Sequence, residues 1–438
     1  MKKTLLFSFI LAFLGLSLFI AGCSETEKSD SGDTSSNEAE NQSEKITIKW
    51  AHPWGEEYFQ ETIADKVNDQ FPHITVEFME GDVGNPESLE NQMVAGNIPD
   101  IVSLISISHL SALNDLGLAY NMDNVIEEAN FELERLEPSV VEYTRNQDPN
   151  LEGGLYAIPE NRPTWVLHYN KDVFDILGVN YPEDGMTWEE VYELAIDLTR
   201  EVGGVQYRGL DLDLPHDAFT QFSVNTVDPE TNEVEIANNE AVKRYLEYIQ
   251  DVVSIPGNYP SEEPSSLMHN WGSLMEEGSI AMAPAKTNGP WMTGMPNVDI
   301  VTYPVWEGYE GLNPVPDGRA WAITEPSEHK KEALEVIEYL LSDEVQMERS
   351  RQGGESILAD PKIHEDFAVD NPDLQGKHLE SLFINEYAVG PAKKAKYTDD
   401  VLWEAPLEFV DSGKDINEFL RILQEEAETN VQTQMGSE

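Results

Sequence analysis

Hydrophobic residues recur along most of the chain at two alternating periods, one typical of strands and the other of helices. Residues 46–50 alternate apolar and polar side chains, which predicts a strand, and residues 56–68 repeat apolar positions every three to four residues, which predicts a helix. The alternation continues with a strand at 74–78, a helix at 86–95 and a buried strand at 99–104. Because short connections join these segments, the pattern predicts an α/β fold, in which ligands collect at the carboxyl ends of strands.

The second half of the chain carries stronger helix signals. Thr187 precedes a helical repeat and Glu190 stands at the spacing of a capping box, so we expect a helix from there to about residue 201. Two strands are predicted at 298–303 and 320–324, and residues 397–410 predict a penultimate helix.

One stretch, residues 156–171, interrupts this regularity. It begins as a strand, contains two prolines, resumes as an apolar run and leads into a helix. Glu160, Asn161 and Arg162 lie between the prolines, and Trp165 lies just beyond them. Proline removes a backbone donor, so a strand breaks there. We interpret the stretch as a crossing between two domains, with polar and aromatic groups placed for a ligand.

The length and the charge of the chain limit its class. At 438 residues it exceeds what one hydrophobic core usually supports, so two domains are expected. The 83 Asp and Glu residues against 27 Lys and Arg give a formal net charge of −56. Such a surface repels nucleic acid, which argues against a nucleic-acid partner. Because the excess is spread along the chain, it is typical of a protein that stays soluble in high salt or alkaline medium.

The N-terminus has the features of an export signal. Two lysines precede an apolar run at 5–19, which is too short for a comfortable membrane span. Cys23 is the sole cysteine and ends the sequence Ile-Ala-Gly-Cys, which resembles a lipobox; an ordinary secretory signal with a chance cysteine is the alternative. We expect residues 1–22 to be a lipoprotein signal peptide and 23–44 a disordered acidic tether, with a lipid on Cys23 that holds the protein on the outer face of the cell membrane.

The sequence carries no signature of catalysis. It contains no Gly-x-Ser-x-Gly elbow, no His-Glu-x-x-His motif and no phosphate-binding glycine loop. With so many carboxylates, neighbouring acids occur by chance and are no evidence for a glycosidase. Asp211, Asp213, His216 and Asp217 could hold calcium, but they lack the twelve-residue loop spacing and are better interpreted as a solvated acidic loop. We expect no metal, no cofactor and no enzymatic activity.

Tryptophans gather at strand ends and in loops beside Gly, Pro, Asn or Asp. A lone tryptophan is more often part of a core than of a ligand site, because of the area that it buries. Several of them beside polar loop residues favour a ligand site, since an indole can stack on the apolar C–H face of a sugar while amides and carboxylates bind its hydroxyls. The tryptophans concerned are Trp50, Trp54, Trp165, Trp291, Trp321 and Trp403.

Several short motifs occur in an order that is specific, although each is weak alone. They are Gly-Asn-Ile-Pro-Asp at 96–100, Gly-Leu-Tyr-Ala-Ile-Pro at 154–159, Tyr-Asn-Lys-Asp at 169–172, Met-Thr-Trp-Glu-Glu at 186–190, Gly-Ser-Ile-Ala-Met at 278–282 and Asn-Gly-Pro-Trp at 288–291. From residue 46 to about 431 the chain resembles the family-1 extracellular solute-binding lipoproteins of ABC importers, which include maltose-binding proteins. The resemblance implies a monomeric receptor that delivers a sugar or oligosaccharide to permease subunits in the membrane.

The resemblance also implies a two-lobed periplasmic-binding-protein fold of a type II-like plan. Each lobe is expected to be a mixed sheet flanked by helices, joined to the other by a hinge with crossings near 159–163, 319–324 and 361–372. Closure of the lobes around the solute is what the permease would read. The expected boundaries are 45–160 plus 323–372 for the N-terminal lobe and 161–322 plus 373–438 for the C-terminal lobe.

Ligand contacts carry over from the family by position. Trp291, in the turn that begins at Asn288, resembles the family's stacking tryptophan, and Trp403 in the penultimate helix resembles a second one. His52 and Trp54 stand in the first strand-to-helix loop, where family members place polar contacts. The expected ligand-binding residues are His52, Trp54, Ser106, Glu160, Asn161, Arg162, Trp165, Asn288, Trp291, Arg319, Trp321 and Trp403.

Two departures from the maltose-type pattern bear on the solute. The loop that contains Ser106 lacks the aromatic and charged residues of the maltose receptor, which argues against a maltodextrin. Pro163 stands where that receptor has a glutamate, so the polar role is expected to move to Glu160, Asn161 or Arg162.

Arg162 and Arg319 leave the charge of the solute open. They form structural ion pairs in an acid-rich protein, or they clamp a carboxylate or phosphate of the ligand. The expected function is therefore a sugar receptor. The alternatives are a receptor for a non-sugar or phosphorylated solute, a surface glycan-acting enzyme, and an adhesion or scaffold lipoprotein.

Overall fold

The structure is a computed structural model and describes residues 45–212, 215–268, 271–287, 292–391 and 393–436. The expected signal peptide, the tether and the lipid site at Cys23 lie outside the described residues, as do Asn288 and Trp291.

The strands account for the two-residue periods of the sequence. In chain order they are β1 (Ile46–His52), β2 (Ile74–Glu80), β3 (Ile101–Leu104), β4 (Ile158–Pro159), β5 (Thr164–Asn170), β6 (Arg200–Val202), β7 (Val205–Leu210), β8 (Ile280–Thr287), β9 (Val298–Thr302), β10 (Leu312–Asn313), β11 (Ala320–Ile323) and β12 (Glu386–Tyr387).

The α-helices fill most of the remaining chain. They are α1 (Gly55–Phe59), α2 (Asp65–Gln70), α3 (Pro86–Val94), α4 (Leu110–Asp115), α5 (Asp123–Ala129), α6 (Pro138–Asn146), α7 (Lys171–Leu177), α8 (Trp188–Leu198), α9 (His216–Thr220), α10 (Glu240–Ser254), α11 (Trp271–Glu276), α12 (Lys330–Leu340), α13 (Asp343–Arg351), α14 (Pro361–Glu365), α15 (Ala405–Ser412) and α16 (Ile416–Gly436). A π-helical segment, Gln60–Ala64, joins α1 to α2, so the predicted helix after β1 is continuous.

The first sheet has the strand order β2-β1-β3-β11-β4. β1 runs parallel to β2 and β3, whereas β11 runs antiparallel to β3 and β4, so the sheet is mixed. Every residue of β3 and β11 is buried, as expected for inner strands of a helix-flanked sheet. α12 covers this sheet by packing on β11 and on α2.

The second sheet has the strand order β6-β7-β8-β5-β9. β5 lies antiparallel to β8 and β9, and β7 lies parallel to β8. All of β5 is buried, and α8 packs on β7 and β8. Two mixed sheets flanked by helices confirm the predicted α/β fold class.

The proline-containing stretch is a passage between the sheets. β4 belongs to the first sheet and β5 to the second, and only residues 160–163 separate them. The chain returns to the first sheet between β9 and β11. A third passage follows α14, which packs on α13, and precedes the 3₁₀ turn Leu379–Phe383, which packs on β5 and β9.

The capping box predicted for α8 is confirmed. The hydroxyl of Thr187 accepts the Glu190 N–H at 3.2 Å, and the Glu190 carboxylate accepts the Thr187 N–H at 2.9 Å. The predicted end near residue 201 is wrong, because α8 stops at Leu198 and the chain enters the β6–β7 hairpin. Gly203 and Gly204 make its turn at φ values of 64° and 84°, which glycine adopts readily.

The predicted helix at 397–410 is also wrong in its first half. Asp400 has a left-handed φ of 54°, and the Asp399 carboxylate accepts the backbone N–H groups of the following turn. A left-handed residue breaks a right-handed helix, so α15 begins only at Ala405. Trp403 therefore precedes the helix instead of lying within it.

Candidate functional site

A cavity of about 420 Å³ lies at the edge of the first sheet, beside the helix that follows β1. His52 ends β1, Glu160 follows β4, Arg319 precedes β11 and Trp321 lies in β11, and all four line this cavity. Because β11 and β4 are neighbours and β1 is two strands from β11, residues far apart in sequence meet here. We call it the first-sheet cavity; it brings together four of the residues that the sequence singled out.

The aromatic rings of His52 and Tyr58 line the first-sheet cavity, and Trp54 lies next to them without lining it. The ring of His52 stacks on Tyr58 at 5.6 Å and meets Trp54 edge-on at 5.3 Å. Trp54 remains 40% exposed, and its ring lies 5.4 Å from the guanidinium carbon of Arg319. Burial, assisted by Arg319 and opposed by Glu160, lowers the pKa of His52 to about 4, so this imidazole is neutral near pH 7.

Charged groups that line the same cavity neutralise one another. One carboxylate oxygen of Glu160 accepts from Arg319 Nε at 3.2 Å and from Arg349 at 3.1 Å. Arg319 also lies 3.7 Å from Glu355. Burial disfavours the charged form of Glu160, but the two arginines outweigh it and hold its pKa below the usual range. The arginines are thus already paired with carboxylates.

Trp321 carries a hydrogen-bond donor without a partner beside the first-sheet cavity. The side chain is buried, and its indole Nε1 has no hydrogen-bond partner among the described residues. The neighbouring Trp50 differs, since its Nε1 donates to Ser103 at 2.9 Å. A buried N–H without an acceptor costs free energy, so an oxygen of a bound molecule or a water would stabilise this position.

Asn161 and Arg162 belong to the passage between the sheets. Asn161 accepts the Arg319 N–H at 2.7 Å and donates to Glu355 at 2.6 Å, so both the oxygen and the nitrogen of its amide are engaged. Arg162 points elsewhere: it lies 3.8 Å from Glu137 and over the ring of Tyr387 at 5.2 Å, and it does not line the first-sheet cavity.

Trp165 and its neighbours form a second polar group, on the second sheet. Trp165 is buried and donates through Nε1 to Asp217 at 2.8 Å. The Lys286 ammonium lies 5.2 Å from the centre of the Trp165 ring and donates to the Asp317 carbonyl at 3.2 Å. Although burial opposes the charged form, Asp217 and Asp317 raise the pKa of Lys286, so it remains a cation.

Ser106 contacts this second group through Asp317. Its hydroxyl donates to one carboxylate oxygen of Asp317 at 2.7 Å, and the N–H of Ser108 donates to the other at 3.2 Å. The segment after β3 is therefore held against the passage that leads into β11.

Trp403 lies beside the second group in a loop. Its ring is 55% exposed and lies 5.3 Å from the ring of His216, which directly precedes Asp217. Such an exposed indole is available to a ligand.

Several residues of the two groups escaped sequence reasoning. Tyr58, Arg349 and Glu355 carry no local motif, and only the tertiary structure brings them to the first-sheet cavity. The interpretation of residues 211–217 as a solvated acidic loop is wrong for two of its members: Asp211 is buried 3.2 Å from Arg208, and Asp217 is buried against Trp165. In the sequence, the aromatic residues near Asp217 were the feature that could have indicated its burial.

The described residues contain no group of three or more His, Cys, Asp or Glu side chains placed to hold a metal ion. Within the same residues, none of the helices combines the length and hydrophobicity that crossing a membrane requires.

Residues 53–347 match the family model of the bacterial extracellular solute-binding proteins. A curated relative, the sn-glycerol-3-phosphate-binding periplasmic protein of Rhizobium meliloti (strain 1021), is 23% identical over 235 residues. That match covers 50% of this chain and 51% of the relative, so the chain spans about half the length of the curated protein it matches.

Solved structures confirm the two-lobed binding-protein fold. An ABC substrate-binding protein of Listeria monocytogenes in complex with cycloalternan superposes with a TM-score of 0.68 at 16% identity, over 90% of this chain and 100% of that one. A sugar transporter of Rhizobium etli in an open conformation gives 0.65 at 20% identity, over 87% and 99%. UgpB of Mycobacterium tuberculosis in complex with glycerophosphocholine gives 0.66 at 17% identity, over 90% and 100%. At these identities the structural similarity establishes the fold only. The identity of the ligand has to be inferred from the residues of the site.

Proposed function

The chain belongs to the bacterial extracellular solute-binding protein family, and on this premise we propose that it is the receptor of an ABC importer for a sugar or oligosaccharide. The family makes it an extracellular solute-binding protein. The sugar class rests on the chemistry of the site and is supported by the names of several solved proteins of the same fold.

The observation that carries the proposal is the composition of the first-sheet cavity. Trp54 and Tyr58 offer aromatic surface beside it, where C–H faces of a sugar ring can stack. Neutral His52 and the free lone pairs of the paired carboxylates offer hydrogen-bonding partners for hydroxyl groups. Because Glu160 and Glu355 together balance Arg319 and Arg349, the cavity favours a neutral polyhydroxylated molecule over a strongly charged one.

The proposed mechanism is closure of two lobes about the passages between the sheets. We assign residues 45–160 plus 320–372 to one lobe and 161–319 plus 373–438 to the other, so that the expected boundary at 322–323 moves to the start of β11, which belongs to the first sheet. A solute that contacts the first-sheet cavity on one side, and the Trp165–Asp217 group with Trp403 on the other, would bind the closed form better and shift the equilibrium toward it. Asn288 and Trp291 are proposed as further ligand contacts. The receptor acts as a monomer, and permease subunits bind the closed form.

A phosphorylated solute is the second candidate, because the curated relative is named for sn-glycerol-3-phosphate and because Arg319 and Arg349 line the cavity. A phosphate would have to compete with Glu160 for both arginines. Since a buried ion pair is costly to open, the sugar remains the better-supported ligand.

The proposal also excludes turnover of the ligand and places the protein at the membrane. We propose that the protein is not an enzyme, and that a lipid on Cys23 holds it on the extracellular side. The Cys23→Ser variant tests the anchor: it should move the protein from the membrane fraction to the medium. Retention of that variant in the membrane fraction would remove the anchor from the proposal.

A panel titration tests the ligand. Thermal-shift screening with neutral sugars, oligosaccharides and sn-glycerol-3-phosphate identifies the binder, and calorimetry then compares Trp54→Ala with Trp54→Phe. For a sugar, Trp54→Ala should weaken binding about tenfold, since stacking on an indole contributes roughly 1–2 kcal/mol, and Trp54→Phe should keep most of it.

Three other results would replace the proposal. Binding of the phosphate alone, abolished by Arg349→Met, would establish the second candidate. Release of product from any glycan would show an enzyme. A sugar that binds with unchanged affinity to both Trp54→Ala and Tyr58→Ala would remove the first-sheet cavity as its site.

A further inference from the structure

A hydrogen bond outside the first-sheet cavity joins the two lobes. The ammonium of Lys394 donates to the side-chain oxygen of Gln147 at 2.7 Å. Neither residue lines the first-sheet cavity. Gln147 directly follows α6, and Lys394 lies in the segment between β12 and α15. We call the lobe that contains the first sheet the first lobe, and the other the second lobe.

Gln147 is held in the first lobe by the elements on either side of it. α6 packs on β4 of the first sheet, and the N–H of Glu137, which caps α6, donates to the Ile357 carbonyl at 2.8 Å. Asp148 is buried, and its carboxylate accepts three backbone N–H groups of the loop that follows. These bonds fix the backbone of Gln147 relative to the first sheet.

Lys394 is held in the second lobe by its neighbours in sequence. The carbonyl of Lys393 accepts a hydrogen bond from the Asn225 side chain at 2.7 Å. Ala395 is buried in a small apolar cluster that includes Val431 of α16. Because Asn225 and α16 both belong to the second lobe, the Lys394–Gln147 hydrogen bond crosses from one lobe to the other.

An independent observation shows that α6 faces the second lobe here. Tyr143 lies one helical turn before Gln147, whose N–H donates to the Tyr143 carbonyl at 3.2 Å, so the two side chains lie on one side of the helix. Burial, together with the Asp317 and Asp217 carboxylates, raises the pKa of Tyr143 well above its ordinary value. Since Asp217 belongs to the second lobe, this side of α6 is close to that lobe.

The contact removes part of the Lys394 ammonium from water. Burial lowers the pKa of Lys394, although the Asp317 and Asp148 carboxylates attract its charge. Both carboxylates already accept other hydrogen bonds, Asp317 from Ser106 and Asp148 from its own loop. The Gln147 oxygen therefore replaces part of the lost hydration, and a charge-assisted hydrogen bond of this kind is about twice as strong as a neutral one.

We infer that the Lys394–Gln147 hydrogen bond is a latch between the lobes, which stabilises the closed form and makes both residues positioning residues for solute binding. The inference rests on the proposed function, in which the closed form holds the solute. The apparent affinity then rises with the fraction of closed molecules, so the latch strengthens binding without contacting the solute.

An interlobe distance measured without solute tests the latch directly. Spin labels at Glu127→Cys on α5 and Glu426→Cys on α16 report on the two lobes, in a Cys23→Ser background that leaves no other cysteine. Lys394→Met and Gln147→Met each remove one partner and keep a side chain of similar length. Pulsed electron paramagnetic resonance should show longer distances in both variants, because the closed form loses its latch. Distances equal to those of the parent protein would overturn the inference.

Two further variants control for charge and for folding. Lys393→Met removes the neighbouring ammonium, which lies 3.5 Å from Glu230 within the second lobe, and should leave the distances unchanged. Lengthening as large as in Lys394→Met would show a general effect of charge and overturn the latch. Gln147→Glu keeps an acceptor for Lys394 and should retain the parent distances, and loss of the short distances in this variant would also overturn it.

Affinity for the neutral sugar with the largest thermal shift in the panel separates the latch from a direct solute contact. Lys394→Met and Gln147→Met should each weaken binding about fivefold, mainly through faster dissociation. The double variant should weaken it by the same factor, since either change alone removes the bond. Weakening in Lys394→Met alone would mean that Lys394 contacts the sugar, and multiplied effects in the double variant would mean independent roles; both overturn the latch. If no sugar binds, the proposed function fails, while the distances still decide the latch.

Discussion

Glu160→Gln should be among the most destabilising single changes of an ionisable group in the chain. The carboxylate forms ion pairs with Arg319 and Arg349 at N–O distances of 3.2 and 3.1 Å. At these separations and an effective dielectric constant near 20, each attraction is about 5 kcal/mol before desolvation is subtracted. Removing one partner of a buried pair leaves the other charge uncompensated, which costs about 3–5 kcal/mol. We expect a loss of about 3 kcal/mol, because both arginines keep some contact with solvent and Glu355 remains near Arg319.

Urea unfolding measures this loss through the midpoint at constant slope. Glu348→Gln is the matched control, since its exposed carboxylate pairs with Lys66 on the rim of the same cavity and should contribute less than about 1 kcal/mol. Adding Arg349→Met to Glu160→Gln should recover part of the stability, because one unpaired cation disappears. A loss below about 1 kcal/mol in Glu160→Gln, or no recovery in the double variant, would refute the ion-pair reasoning.

Three further predictions test other parts of the structure. Thr187→Ala should cost about 1 kcal/mol in urea unfolding by removing the α8 cap, and Thr187→Ser should cost less. Gly209→Ala should fold poorly or lose about 3 kcal/mol, because its Cβ would lie 2.1 Å from the Ala195 carbonyl oxygen; native-like stability would mean that α8 can shift away from β7. Burial lowers the pKa of His168 to about 3, so on acidification the imidazole of the unfolded chain is protonated before that of the folded chain. Its contribution to the free energy of unfolding is complete above pH 6.5 and falls by about 4–5 kcal/mol as the pH drops toward 3. Urea unfolding at several pH values should show a smaller pH dependence for His168→Gln.

Periodicity in the sequence was sufficient to predict the elements and the α/β class, since alternating strands and helices bury their apolar faces in a regular way. It placed β1, the helix after it and the cap of α8 correctly. It extended α8 too far, because the helix ends where β6 begins. The residues of β6 form a strand since the Gly203–Gly204 turn lets them pair with β7. The helical repeat alone carries no information about this strand pairing.

The site was harder to predict, because its residues acquire their roles from partners distant in sequence. Arg162 and Arg319 look alike in the sequence, yet one lies over Tyr387 and the other beside Trp54. The strand order decides which of them reaches the first-sheet cavity. Asp217 was assigned to solvent, because an acidic stretch usually is solvated; the indole of Trp165 reverses that expectation by donating to its carboxylate.

Asn161 forms hydrogen bonds between segments of the chain that are synthesised at very different times. It bonds to Arg319 and to Glu355, which are 158 and 194 residues further along the chain. While the chain is being synthesised, the first sheet therefore lacks β11 until most of the chain has been made. Until then, the passage at 160–163 also lacks the hydrogen bonds of Asn161 to Arg319 and Glu355. Contacts this distant in sequence form slowly, because a long loop must close before they contribute. The order of emergence thus leaves the passage at 160–163 without its hydrogen bonds to Arg319 and Glu355 until residue 355 has been made.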